Sequence, residues 1–567
     1  MRESGAGIRL DGARIARGSL TRRDFLKVGG TGLAGAGLLL GAPGCGVFSG
    51  GQEGGQGGGG NSNTLNINLG SDIPDMDPST STDAVASILI DNSMEGLYRL
   101  DASLEPQPAM AEGVEISDDQ LNYTFTLREG VTWSNGDPVT SQDFRFAWLR
   151  AMDPEIASQY GFIIADYIEG GDAYYSGDGS AEDVAIATPD ERTLEVTLAN
   201  PTPYFLSLTA FKTYVPMKQS FVEEQGEDFG LSADALLYNG PYMIEEFQPA
   251  NGATLQKRED YWDAENVDIQ TVNAEVVKDE QAALNLYESG ELDRTGLTSE
   301  QVEQYRDSPE FSTYTQFITW WLQFNTQDSV MQNANIRKAI QLGIDREALA
   351  GTILNNGSVP AAGLIPDGME GPGDQTFREA YGDIVPEFNA EEAGRLYQQG
   401  VEELGEEPTL TLLTGDTSVA RDLATFVQSQ FQENIGAQLE IDQQPFDARL
   451  DRQREGEFQI SQAGWIADYN DPSSFMDLYT TENGFNDIQF SNDRYDELVN
   501  GARTEADNDQ RMEMFSEAES ILIEDEAWLS PLYFEGSAQL IKPYLNNVEI
   551  FPFGSEYSLK LWELEGE

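Results

Sequence analysis

Charge constrains this chain more than any other feature. It carries 99 acidic side chains against 33 basic ones and no histidine, a formal net charge of -66 over 567 residues. At ordinary ionic strength such self-repulsion weakens a compact state, and salt screens it. Disorder does not follow, because 39% of the residues are hydrophobic and 10% aromatic, and the acids are scattered among regular apolar patterns. The composition reads as a folded protein built for high salt. A binder of cations or basic partners would gather its acids into runs, and a nucleic-acid binder needs basic stripes.

The missing histidine also removes chemistry. There is no histidine general base, no Ser-His-Asp triad and no histidine metal site. Cys45 is the single cysteine, so the chain has neither a disulfide nor a thiolate zinc site. No dinucleotide or phosphate loop stands between a strand and a helix. A glycosidase needs only two carboxylates, and here they are too abundant for any pair to inform. We expect no enzyme activity, no cofactor and no metal.

Residues 1–45 read as an export signal. Thr21-Arg22-Arg23-Asp24-Phe25-Leu26-Lys27 is a twin-arginine pattern, and an apolar glycine-rich stretch leads to Gly41-Ala42-Pro43-Gly44-Cys45. Small Gly44 before Cys45 fits a lipidation site, while Ala42 and Pro43 depart from the usual residues; the alternative is an ordinary cleaved signal with a stray cysteine. Residues 46–60 are almost all Gly, Ser and Gln, a flexible tether. The expected location is the outer face of the cytoplasmic membrane, in the periplasm or at the cell surface, with Cys45 lipidated.

Beyond the tether, residues 65–69, 122–127 and 193–198 alternate and predict strands. Thr140 with Asp143 resembles a capping box opening a helix to about Met152, before Pro154. Residues 335–343 and 346–354 predict two short helices. Past Pro408 the rhythm becomes strand 409–413, helix 419–433, strand 437–441, helix 446–454 and strand 458–463. That alternation predicts a mostly parallel, helix-covered sheet.

Several segments carry a resemblance. They are Met76-Asp77-Pro78; Glu95-Gly96-Leu97; the stretch from Thr124 to Thr140 (TFTLREGVTWSNGDPVT) completed by Asp143-Phe144; Tyr238-Asn239-Gly240-Pro241-Tyr242; Ile336-Arg337-Lys338-Ala339-Ile340 with Ile344-Asp345-Arg346-Glu347; and Ala463-Gly464-Trp465-Ile466-Ala467-Asp468-Tyr469. Together, and in this order, they resemble the peptide- and nickel-type solute receptors of ABC transporters, solute-binding family 5, most closely the oligopeptide branch. The resemblance implies an α/β, periplasmic-binding-protein-like fold of two lobes with a hinge and an extra inserted domain. By analogy lobe I comprises 61–94, 217–317 and 535–567, the inserted domain 95–216, and lobe II 318–534. Trp133 and Asp137-Pro138 then read as architecture, a buried aromatic and a turn.

The resemblance also implies a ligand site. Asp468 would hold a peptide ammonium, which needs a carboxylate beside it once desolvated; Asp468 also fits a turn cap before Pro472. Trp465 would pack over the first ligand residues, the alternative being a core aromatic at the lobe boundary. Tyr160, Trp320, Ile466, Gln462, Gln453 and Thr82 complete the implied set, with Trp320 and Trp321 facing opposite ways along a strand. Basic residues that often receive a peptide carboxylate in that branch align with Ala420, Gln453 and Gln462; Arg421, Arg452 and Arg454 are offset. The implied function is a lipid-anchored, monomeric receptor that hands an oligopeptide to an ABC permease with its ATPase, with no nucleic acid involved. Alternatives are an oligosaccharide or other solute receptor of the same fold, with Trp465, Trp320 and Trp321 stacking on sugars; an adhesion or signalling receptor that lost transport; and a secreted carboxylate-pair hydrolase.

Overall fold

The strand Thr64–Asn68 buries Leu65 and Ile67 and leaves the residues between them half-exposed, the alternation its sequence dictates. It pairs in parallel with Thr271–Glu275, which continues antiparallel through Gly252–Lys257 to Tyr242–Gln248. The computed structural model describes residues 63–565 except Glu482, and the backbone but not the side chains of Phe446 and Asp447. The export signal, Cys45 and the tether lie outside the described residues. Helix Ala84–Ser93 covers this first sheet; the Asp83 carboxylate caps it by accepting the N–H groups of Val85 and Ala86.

A second four-stranded sheet, wholly antiparallel, runs Ala111–Ile116, Asn122–Leu127, Thr193–Thr197, Ile186–Asp190. Helix Ser141–Met152 packs on it, opened by the expected capping box: Thr140 N–H donates to Asp143 Oδ2 at 2.8 Å. The same oxygen accepts the indole N–H of Trp133, which is 1% exposed, so Trp133 is part of the core here. This sheet and the first share one continuous core, including Leu65, Phe125, Trp148 and Tyr214.

The largest sheet has seven strands. Its order is Arg294–Leu297, Leu529–Ile541, Phe311–Phe324, Ile460–Ile466, Thr409–Gly415, Gln438–Gln444, with Val359–Pro360 also on Leu529–Ile541. Helices bury both faces. Ile336, Ile340, Leu423 and Val427 cover one; Phe475, Tyr495, Phe515 and Leu522 cover the other. The sheet is not mostly parallel, as the local rhythm predicted. Only Thr409–Gly415 with its two neighbours is parallel, because only there does a helix carry the chain back across. The two long strands arrive from elsewhere in the sequence and pair antiparallel. Two expected helices, 346–354 and 419–433, end in wider π-type turns, at Leu349–Leu354 and Phe431–Ile435.

Phe311–Phe324 and Leu529–Ile541 pair twice. Phe311 to Thr315 face Leu540 to Gly536, Thr319 to Gln323 face Phe534 to Leu529, and the ladder is interrupted between Thr315 and Thr319. Below the break the large sheet continues to Arg294–Leu297, whose neighbour Asp293 donates its N–H to Asn66 C=O of the first sheet; above it Phe311–Phe324 pairs with Ile460–Ile466. Gly536 is required there, since a Cβ would lie 2.1 Å from the Gly357 backbone.

Candidate functional site

The strand Ile460–Ile466 has one satisfied edge and one open one. Phe311–Phe324 pairs along its whole length, but Thr409–Gly415 on the other side reaches only Ile460 and Ser461. Ala467 N–H donates to Phe317 C=O at 2.8 Å. Because bonded pairs alternate in an antiparallel ladder, the N–H and C=O of Gly464 and Ile466 point to the open edge. Gly464 is exposed and Ile466 is 57% exposed. At the closed end of the edge, Gln462 C=O accepts from Arg449 Nη1 at 2.7 Å and from Gln453 Nε2 at 3.3 Å.

Trp320 lies under Gly464, so close that a Cβ there would meet the indole at 2.7 Å. Its N–H donates to Glu535 Oε2 at 2.6 Å and its ring stacks with Tyr533. Trp321 is on the opposite face, in the other core, as strand alternation requires. Trp465 sits edge-on to Phe485, ring centroids 5.1 Å apart, and its buried indole N–H has no protein acceptor among the described residues. A buried donor left unbonded costs about 1–3 kcal/mol.

Asp468 follows the end of the strand. Its N–H donates to Ser474 Oγ at 3.0 Å, and among the described residues its carboxylate has no ion-pair partner. Burial without a counter-charge pushes it up to about 7. Tyr160 is its neighbour: burial first, then the Asp468 charge, pushes the phenol up to about 12. The Tyr160 ring packs between Phe162 and Phe211, with Lys212 Nζ 5.4 Å from its centre. Thr82 is exposed in the loop before helix Ala84–Ser93, and that loop is tied to the Tyr160 segment by Ser158 Oγ donating to Ser79 C=O.

Asp468 and Tyr469 form one wall of a cavity of about 90 Å³. Leu208, Phe211, Phe553 and Asp91 line it as well. Burial pushes Asp91 up to about 7 against the opposing pull of Lys212 and Ser555. Lys212, bonded to Ser87 Oγ at 2.7 Å, is lowered by burial to about 8.

The sequence-derived set is therefore split. Asp468 and Tyr160 come together, and Trp320, Trp465 and Ile466 surround the open edge. Gln462 and Gln453 are buried and bonded to protein: Gln462 Oε1 accepts from Thr414 Oγ1 at 2.6 Å, and Gln453 Nε2 donates to Ser461 Oγ. Arg421 donates to Asp416 C=O and Arg452 pairs with Asp442.

Sequence reasoning missed Arg449, one helical turn before Gln453 on the same face of helix Phe446–Arg454, although that spacing was readable. It also missed a tyrosine cluster. Tyr469 OH lies 3.0 Å from Tyr167 OH, and Ser473 Oγ lies 3.3 Å from both Tyr204 OH and Tyr469 OH. Behind it, Arg511 pairs with Asp471 and lies 5.2 Å from the Tyr204 ring. Among the described residues, no group of three or more acidic side chains is placed to hold a metal ion.

Residues 105–487 match the family described as bacterial extracellular solute-binding proteins, family 5 Middle. The oligopeptide-binding protein OppA of Bacillus subtilis is 33% identical over 482 residues, covering 83% of this chain and 87% of that protein. The dipeptide-binding protein DppE of the same organism is 33% identical over 492 residues, covering 86% and 90%. Among solved structures, Listeria monocytogenes OppA bound to peptide superposes with a TM-score of 0.74 at 35% identity, covering 90% of this chain and 100% of that one.

Proposed function

Because the chain belongs to the bacterial extracellular solute-binding proteins of family 5, with their two-lobe α/β fold, we propose that it is a receptor for oligopeptides, held outside the cytoplasmic membrane by a lipid on Cys45 and serving an ABC permease. One observation carries the ligand class. An open strand edge at Gly464 and Ile466 ends at Asp468, a half-buried carboxylate with no cation beside it among the described residues. An extended peptide adds to such an edge through the main-chain groups all peptides share, and its ammonium supplies the missing charge. The unbonded indole N–H of Trp465 offers a donor that a ligand carbonyl can satisfy. Receptors named for oligopeptides and dipeptides among the relatives support the same reading.

The carboxylate-pair hydrolase is disfavoured by the site itself. Asp468 and Asp91 share a cavity, but both are pushed up to about 7, each chiefly by burial. A glycosidase separates its two carboxylates into an acid and a base, and this environment does not.

Calorimetry with one pentapeptide, amino-free and N-acetylated, tests the proposal. Acetylation should weaken binding by about two to three orders of magnitude, the cost of leaving a buried charge unpaired. Equal binding of the two forms would remove Asp468 as the ammonium site and put oligosaccharides or another solute first. Mass spectrometry of ligand carried through purification from the native host would then identify the class.

A further inference from the structure

We infer that the cavity beyond Asp468 receives the side chain of the ligand's first residue and selects small branched aliphatic groups there. The inference rests on the peptide reading above. A peptide whose ammonium meets Asp468 and whose main chain runs back along Ile466 and Gly464 has one group left to place on the far side, its first side chain. The cavity is on that side: Asp468 and Tyr469 line it, and none of Gly464, Trp465 or Ile466 does.

Lining and size define what fits. Leu208, Phe211, Phe551 and Phe553 present apolar surface, and Leu208 is fully buried. Two of the charged groups on the lining are engaged with protein: Glu95 accepts from Tyr261 and Trp262, and Lys560 pairs with Asp263. Arg99 and Asp91 line the cavity beside the apolar groups. A cavity of about 150 Å³ holds a benzene ring. This one, at about 90 Å³, takes an isopropyl or isobutyl group and is too small for a phenyl or indole ring unless its walls move. Each methylene buried in it multiplies affinity by roughly four.

The experiment is calorimetry with pentapeptides of sequence Xaa-Ala-Ala-Ala-Ala, Xaa being Gly, Ala, Val, Leu, Phe or Lys. The expected result is Val and Leu binding ten- to a hundredfold tighter than Gly, with Phe and Lys no better than Gly. Ala210→Leu, which fills the cavity from its wall, should bring Leu-first peptides down to the Gly-first level while Gly-first binding is kept; that retained binding also shows that the variant is folded. Phe551→Ala, which enlarges the cavity, should admit Phe-first peptides. Amine-dependent binding with equal affinity for Gly, Leu and Phe would overturn the pocket assignment and leave the peptide reading standing. A preference for Lys would overturn it in favour of charge recognition by Asp91. Failure of every peptide to bind would overturn both readings together.

Discussion

The ring of Tyr204 lies flat on that of Tyr469, with centroids 4.9 Å apart and planes 8° from parallel. Tyr204 comes from the segment after the antiparallel four-stranded sheet, Tyr469 from the segment after the open strand edge, so the pair spans the two sides of the site. Around it, Tyr167, Ser473 and Arg511 bring polar groups from both sides to one place. The ladder is interrupted between Thr315 and Thr319, and if the two sides turn about that break the ring contact should part as they open.

Removing that ring should loosen closure. A stacked aromatic pair is worth about 1 kcal/mol beyond its buried area, so Tyr204→Ala should weaken ligand binding about fivefold. Small-angle scattering should give the free variant a larger radius of gyration than free wild type, with ligand narrowing the difference. Unchanged scattering and unchanged affinity would mean that the tyrosine cluster is packing without a part in closure.

Asp468 sets a pH profile. Without ligand its carboxylate titrates at about 7 because burial disfavours the charge. Below that pH the site is protonated and binding an ammonium first requires loss of the proton, so affinity should fall as pH drops below about 7. Above the α-amino range of about 7.7–8.0 the peptide loses its own charge, and affinity should fall again. Calorimetry from pH 5 to 9 should show a maximum between these limits. Asp468→Asn should cost about 3–5 kcal/mol of binding at the maximum and flatten the acid limb. With the N-acetyl peptide the further loss should be far less than additive. A variant that keeps the acid limb would assign it to another group.

Salt should stabilise the fold. The net charge of -66 repels itself at low ionic strength, and at 1 M salt the screening length shrinks to about 3 Å. The thermal midpoint should climb steadily from about 0.1 M to several molar salt. A midpoint indifferent to salt would refute the high-salt reading of the composition.

Cys45→Ser should release the protein from the cell surface into the medium. The expectation comes from the twin-arginine pattern and Gly44-Cys45 alone. A wild-type protein that is wholly released and carries a free thiol would show that Cys45 is not an anchor. A single acyl chain holds only marginally, so the measurement compares variant and wild type rather than counting the bound fraction alone.

The sequence by itself determined what local spacing can encode. The alternation of Leu65 and Ile67, the Thr140–Asp143 capping box and the opposite facing of Trp320 and Trp321 all follow from periods of two and 3.6 residues. The ordered motifs, ending in Gly464-Trp465-Ile466-Ala467-Asp468-Tyr469, carried the family. Tertiary structure decided what depends on distance through space. Tyr167 meets Tyr469 across 302 residues of chain, and no local pattern records that. Gln453 and Gln462 looked like ligand groups from their alignment, yet burial gives their amides protein partners. The direction of the long strands, and so the mixed large sheet, was fixed by where distant segments pair. Asp468 is an ordinary aspartate in the sequence. Only the fold removes water and counter-charge from around it, and that desolvation turns it into a site for a cation.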